Sequence, residues 1–272
     1  MAFITTTDKN QIFYTDYGQG KPVILIHGWP LDSQMWEYQT SDLLSRGFRV
    51  IAYDRRGFGK SSKPASGYNY GTFASDLNEL IEQLDLKEIR LVGFSMGGGE
   101  IASYLGKFGS TRVAKAVLIS SVTPYLIQTI ESPKGVSEKV FGEMVKNLKE
   151  DRPKFLGNFG KQFYGQGVVS HPVSDEMLQW NAGVAYQASP IATIDCVGAF
   201  GMTDFRKDMN AFAGVPTLII HGTADKIVPV EASSDEAAKL IPNAKNIRYD
   251  GGPHGIFITH REMLNADLLA FL

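Results

Sequence analysis

Residues 89–99 constrain this chain more than any other stretch. An apolar strand from Ile89 to Val92 runs through Gly93-Phe94-Ser95-Met96-Gly97 straight into a helical pattern carried by Glu100, Ile101, Ala102, Tyr104 and Leu105. A strand-to-helix turn this tight leaves no room for a Cβ against the neighbouring backbone, which accounts for Gly93 and Gly97. Gly98 and Gly99 let the helix lie close to adjacent strands. Ser95, at the apex, is lifted clear of the sheet beside backbone N–H groups of a helix N-terminus. A serine hydroxyl is a weak nucleophile until a base takes its proton, so the turn has chemical meaning only if a base and an acid follow. The bland alternative is a glycine-rich β–α junction in any Rossmann-like domain.

The flanking chain reads as strand and helix in alternation. Residues Ala2–Thr7 and Gln11–Tyr17, separated by Asp8-Lys9-Asn10, suit an antiparallel hairpin at one sheet edge. Val23–Ile26 is a wholly apolar run of the kind buried on both faces. Then come a helix over Met35–Arg46, a strand over Phe48–Tyr53, a helix over Thr72–Leu84, the strand before Ser95, and a strand over Val113–Ile119. From Ser121 to Phe205 the rhythm stops: helical patterns at Ser137–Asn147, Pro153–Phe163 and Ser174–Ala188 are punctuated by prolines. Alternation resumes with Thr217–Ile220, a helix over Val230–Leu240, a strand over Asn246–Tyr249 and a helix over Arg261–Phe271. The pattern predicts an α/β fold: a mostly parallel, eight-stranded sheet with helices on both faces. Residues 1–120 and 206–272 form the core, and 121–205 form a helical cap inserted after the sixth strand.

Composition narrows the partners. With 27 basic and 29 acidic residues scattered without blocks, the chain carries no electrostatic footprint for nucleic acid or an anionic membrane, and a small organic substrate fits better. The lone cysteine, Cys196, cannot form an internal disulfide or begin a zinc site, and reads as small apolar filler. No apolar run is long enough to cross a bilayer and no basic leader precedes one, so a cytoplasmic protein without a metal is expected. Oligomeric state is left open, a homo-oligomer included.

Two further loops complete the chemistry suggested by Ser95. His221-Gly222-Thr223-Ala224-Asp225 follows Thr217–Ile220 and puts Asp225 beyond the C-terminal end of a core strand; Asp250-Gly251-Gly252-Pro253-His254-Gly255 does the same for His254. Nucleophile, acid and base thus follow in the chain order Ser, Asp, His, at the sheet edge where open α/β sheets bind ligands. Asp225 also suits a turn, and Asp54 is a rival acid, although Arg55 and Arg56 beside it favour a structural ion pair. His27 and His221 read as anchors for nearby loops, and His171 and His260 as surface residues. A tetrahedral intermediate needs donors already aimed at its oxyanion, and Met96 N–H and Trp29 N–H are the candidates. Pro30, with fixed φ and no N–H, sets where the Trp29 carbonyl points.

The set His27-Gly28-Trp29-Pro30-Leu31, Tyr53-Asp54-Arg55-Arg56-Gly57, Gly93-Phe94-Ser95-Met96-Gly97-Gly98-Gly99 and Gly251-Gly252-Pro253-His254-Gly255 resembles the α/β-hydrolases, within them the bacterial cofactor-free haloperoxidase, arylesterase and perhydrolase group. The resemblance implies hydrolysis of small carboxylic esters through an acyl-enzyme, with water or hydrogen peroxide as acyl acceptor. A peracid formed this way would oxidise halide without haem or vanadium, so no cofactor is implied. It assigns nucleophile to Ser95, base to His254, orienting acid to Asp225 and oxyanion donors to Trp29 and Met96. A small apolar pocket is expected, lined by Trp29, Pro30, Phe94, Met96 and Ile227 with Tyr125, Phe141, Phe159 and Phe163 from the cap. Each cap aromatic suits the cap's own core equally well. Lactonase, amidase or carbon–carbon bond hydrolase action remains open on the same residues, as does a small-molecule receptor; epoxide hydrolase and haloalkane dehalogenase chemistry is disfavoured, since both need a carboxylate at Ser95.

Overall fold

A computed structural model describes residues 2–242 and 244–272. In chain order the main elements are β1 (Ala2–Thr5), β2 (Gln11–Tyr17), β3 (Pro22–Ile26), α1 (Glu37–Ser45), β4 (Arg49–Tyr53), α2 (Tyr70–Gln83), β5 (Ile89–Phe94), α3 (Met96–Phe108) and β6 (Val113–Ile119). They continue with α4 (Glu138–Phe163), α5 (Asp175–Tyr186), α6 (Pro190–Met202), β7 (Thr217–Gly222), α7 (Ser234–Leu240), β8 (Lys245–Tyr249), α8 (Ile256–Thr259) and α9 (Arg261–Phe271). The eight strands form one sheet in the order β1-β2-β4-β3-β5-β6-β7-β8. Only β1 and β2 run antiparallel to their neighbours, as the edge hairpin requires.

β3 and β5 sit side by side at the centre, with Ile26 paired to Gly93. Val23, Ile24, Leu25, Ile26, Leu91 and Val92 are all fully buried, each such side chain contributing about 1.5–3 kcal/mol. α2 covers this sheet with Phe73, Leu77, Leu80 and Ile81. Its start is fixed by Asn69, whose side chain accepts the Thr72 N–H at 3.0 Å.

Several boundaries differ from expectation for local reasons. The helix expected over Met35–Arg46 begins as a 3₁₀ turn at Ser33–Trp36, because Asp32 accepts the Gln34 N–H. The helix expected from Val230 starts at Ser234, after turns closed by the Ala232 and Ser233 N–H groups. The expected helices Ser137–Asn147 and Pro153–Phe163 are two arms of α4, broken at Asp151 (φ −151°, ψ 82°). There the Asp151 carboxylate caps the second arm by accepting the Lys154 N–H at 3.0 Å. The helix α6 was not anticipated: Pro190 occupies its first turn and Ser189 accepts the Ala192 N–H, so that proline is a start signal and not a break.

The ion pair expected between Asp54 and its arginine neighbours does not form. Arg55 pairs with Glu100, and Arg56 with Asp76 and Asp8. Asp54 accepts the Ser33 and Lys60 backbone N–H groups instead, at 2.9 and 2.8 Å. Burial, and secondly the Asp54 charge, push the Asp32 carboxyl up to about 6. A carboxyl raised in the folded state stabilises the fold below its unfolded value near 4 and loses that contribution as pH rises through about 6. Asp32→Asn is therefore expected to raise stability at pH 8, by about 1–2 kcal/mol. The gain should shrink through pH 6 and vanish near pH 4. Denaturant midpoints at several pH values check this; a pH-independent difference would contradict it.

Among the described residues no helix is long and apolar enough to cross a membrane.

Candidate active site

The turn after β5 is as tight as its glycines require. A Cβ on Gly93 would lie 2.5 Å from the Gly97 carbonyl oxygen, and one on Gly97 2.4 Å from that of Ile26. Ser95 itself adopts φ 53°, ψ −117°, a region that costs a non-glycine residue energy and is held here by the packed backbone on either side. The loop after β3 presses onto this turn, since a Cβ on Gly28 would lie 3.1 Å from that of Ser95.

The loops after β7 and β8 are locked together. The Thr223 N–H donates to the Tyr249 carbonyl and the Ala224 N–H to that of Gly252, both at 2.9 Å. This contact brings Asp225 and His254 to Ser95. His254 Nε2 lies 3.0 Å from Ser95 Oγ, and His254 Nδ1 lies 2.6 Å from Asp225 Oδ2. A carboxylate oxygen can only accept, so Nδ1 carries the proton and Nε2 is left to accept the serine hydroxyl. Asp225 Oδ1 accepts the Ile227 and Val228 N–H groups at 2.8 and 2.9 Å. Burial alone would raise the Asp225 carboxyl; the His254 charge and hydrogen bonds from His221 and His254 outweigh it and hold the group below the ordinary carboxylate range.

His221 anchors its loop as expected, donating from Nε2 to the Val228 carbonyl at 2.9 Å and accepting from Ser234 Oγ at Nδ1, at 2.5 Å. It also reaches Asp225 Oδ2 at 3.0 Å, a contact the sequence reading did not foresee. His27 is an anchor too: its Nε2 accepts the Arg55 N–H at 2.9 Å, and burial followed by the Arg55 charge keeps the ring neutral. Cys196 is fully buried, and burial pushes its thiol up. It is filler, as read.

A cavity of about 120 Å³ opens on Ser95 and His254. Its walls include Trp29, Ile227, Phe141 and Phe159, as expected, together with Phe155 and Phe200, which were not. Among the described residues the Trp29 and Met96 backbone N–H groups donate to no protein acceptor. The sequence model of the alpha/beta hydrolase fold family matches residues 21–261.

The chain belongs to the α/β-hydrolase family.

It is 40% identical over 278 residues to the non-heme chloroperoxidase CPO-A1 of Kitasatospora aureofaciens, covering 100% of this chain and 99% of that one. It is 39% identical over 277 residues to the bifunctional esterase/perhydrolase DCH of Acinetobacter calcoaceticus, with the same coverage. Among solved structures it resembles the bromoperoxidase from Bacillus anthracis, with a TM-score of 0.95, 45% identity and 99% of each chain covered.

In this α/β-hydrolase several residues expected at the cavity wall lie elsewhere. Phe94 and Phe163 stand behind the imidazole, their ring centroids 4.9 and 4.8 Å from that of His254. They pack the imidazole; the cavity wall is made by others. Tyr125 lies under the Arg206 guanidinium, 5.0 Å from its ring centroid, at a surface where Arg206 pairs with Asp204 and Glu131. The Met96 side chain is fully buried, and neither it nor Pro30 borders the cavity; the Trp29–Pro30 peptide is cis. Gln162 and Lys226 also line the space and were missed. Phe155 was legible as the i−4 partner of Phe159 on one helix face. Phe200 was hidden with the unread helix α6.

Proposed function

We propose that this chain is a serine hydrolase of small carboxylic esters that also transfers acyl groups to hydrogen peroxide. The observation that carries the reading is the line from Ser95 Oγ through His254 to Asp225, at 3.0 and 2.6 Å, opening on a small apolar cavity. His254 takes the Ser95 proton as Oγ attacks the ester carbonyl, and Trp29 N–H and Met96 N–H hold the oxyanion. Asp225 steadies the imidazolium, which then protonates the leaving alcohol. Water or peroxide next gives a proton to His254, attacks the acyl-enzyme, and releases acid or peracid with the proton returned to Ser95. The relatives named for chloroperoxidase and perhydrolase action support peroxide as an acceptor. A peracid would deliver its terminal oxygen to halide, giving hypohalite and the carboxylate. Segment 121–205 acts as the cap that sets acyl size.

The test is product partitioning with phenyl acetate, measuring acetate and peracetate with and without hydrogen peroxide. Both products are expected; acetate without peracetate would remove the perhydrolase half of the proposal. Peroxide is held by donating to the Trp29 carbonyl, whose direction Pro30 sets through its own fixed φ. Pro30→Leu should therefore lower the peracid-to-acid ratio by roughly two- to tenfold, the worth of one hydrogen bond. An unchanged ratio would sink that part.

A further inference from the structure

Glu100 and Arg55 are both fully buried, their ion pair 2.6 Å long, and neither takes part in the proton transfers above. Burying two charges costs about as much in desolvation as their attraction returns, so such a pair is poor evidence for stability alone. Its connections point elsewhere. Glu100 lies on α3 one turn beyond Met96, on the same helix face. Tyr53 OH donates to its second oxygen. Arg55 then donates from Nη2 to the His27 carbonyl at 2.9 Å, while its backbone N–H donates to His27 Nε2. His27 Nδ1 in turn donates to the Gly28 carbonyl at 3.0 Å.

The bridge therefore begins on the helix that carries Met96 N–H and ends on the peptides leading to Trp29 N–H. Both sides touch, since a Cβ on Gly97 would meet the His27 carbonyl at 3.1 Å. We propose that Glu100 and Arg55 are positioning residues that set the separation of the two oxyanion donors, an inference that rests on the acyl-transfer reading. A guanidinium suits the task because its planar fork fixes direction as well as distance between Glu100 and the His27 carbonyl. Both donors are backbone groups, so only their carriers can be adjusted.

Glu100→Gln keeps the side-chain volume and one acceptor but removes the charge that fixes Arg55. Turnover of phenyl acetate should be measured per active site, counted by fluorophosphonate labelling taken to completion. The expected result is full labelling, kcat per site lowered about 100-fold, and KM changed by less than about threefold. A boronic acid whose tetrahedral adduct needs the same donors should lose affinity by the same factor. Full labelling with unchanged kcat and boronate affinity, whatever happens to the melting temperature, overturns the inference while leaving the acyl-transfer reading standing. Failure of the wild-type chain to label or turn over would overturn both. Should Glu100→Gln not fold, Tyr53→Phe keeps the ion pair and frees one Glu100 oxygen. It should lower kcat per site and boronate affinity together by a smaller factor, and no change in either overturns the inference.

Discussion

Ser95→Ala is expected to lower kcat for ester cleavage and for peracid formation alike by about 10⁵–10⁶-fold, the loss seen when the nucleophile of a cooperating set is removed. Alanine has the same backbone preferences as serine at φ 53°, so the turn should keep its shape and the melting temperature should barely move. On the proposed mechanism the residual rate would come from the Trp29 and Met96 N–H groups and the cavity alone. Pre-steady-state release of phenolate gives the clearest readout: the wild type should show a burst equal to its active sites, and the variant none. Appreciable turnover in Ser95→Ala would assign the chemistry to another group and end the acyl-enzyme account.

The second large effect is expected from Asp225→Asn, about 10⁴-fold in kcat. Oδ1 is committed to the Ile227 and Val228 N–H groups, so the amide nitrogen of an asparagine must replace Oδ2. It would then point N–H groups at His254 Nδ1 and His221 Nε2, both of which donate to Oδ2 in the wild type. His254 would answer by moving its proton to Nε2, the nitrogen needed to take one from Ser95. The acid limb of stability should change as well. Because the fold holds Asp225 below the ordinary carboxylate range, its contribution is present above the unfolded value near 4 and is lost as pH falls toward the lower folded value. The stability gap between wild type and variant should therefore narrow below about pH 4. Saturation kinetics and denaturation at several pH values check both halves; a kcat loss under about tenfold would remove Asp225 from the orienting role.

What the sequence made legible was whatever backbone geometry dictates locally. Gly93 and Gly97 announce the turn because their Cβ atoms would strike carbonyl oxygens, and that collision is encoded within a few residues. Asp225 follows the buried strand β7 and His254 follows β8, parallel neighbours in one sheet, so their common edge follows from topology. Facing was less legible. Phe159 and Phe163 stand one turn apart on one arm of α4 and Phe141 lies on the other, yet Phe141 and Phe159 reach the cavity and Phe163 backs the imidazole. The difference depends on how α4 lies across the loops that carry Ser95 and His254, which periodicity does not contain. Tyr125 was lost to a surface arginine far along the chain, Arg206. Asp54 was misjudged because its neighbours Arg55 and Arg56 turn to partners from three distant segments, at Glu100, Asp76 and Asp8.

The packing of Phe163 against His254 ties the fate of two parts of the pocket. The Gly255 N–H donates to the Phe163 carbonyl at 2.8 Å, and a Cβ on Gly255 would strike Tyr164 at 2.5 Å. The last turn of α4 thus serves as the back wall of the loop that carries His254. Grafting the helices of a distant relative onto this core would trade that wall along with the substrate surface. On the proposed mechanism, variation that alters which acyl groups fit is consequently freest at Phe141, Phe155 and Phe200, which border the cavity without ring contact to the imidazole. Near Phe163 the same drift would disturb the His254 imidazole.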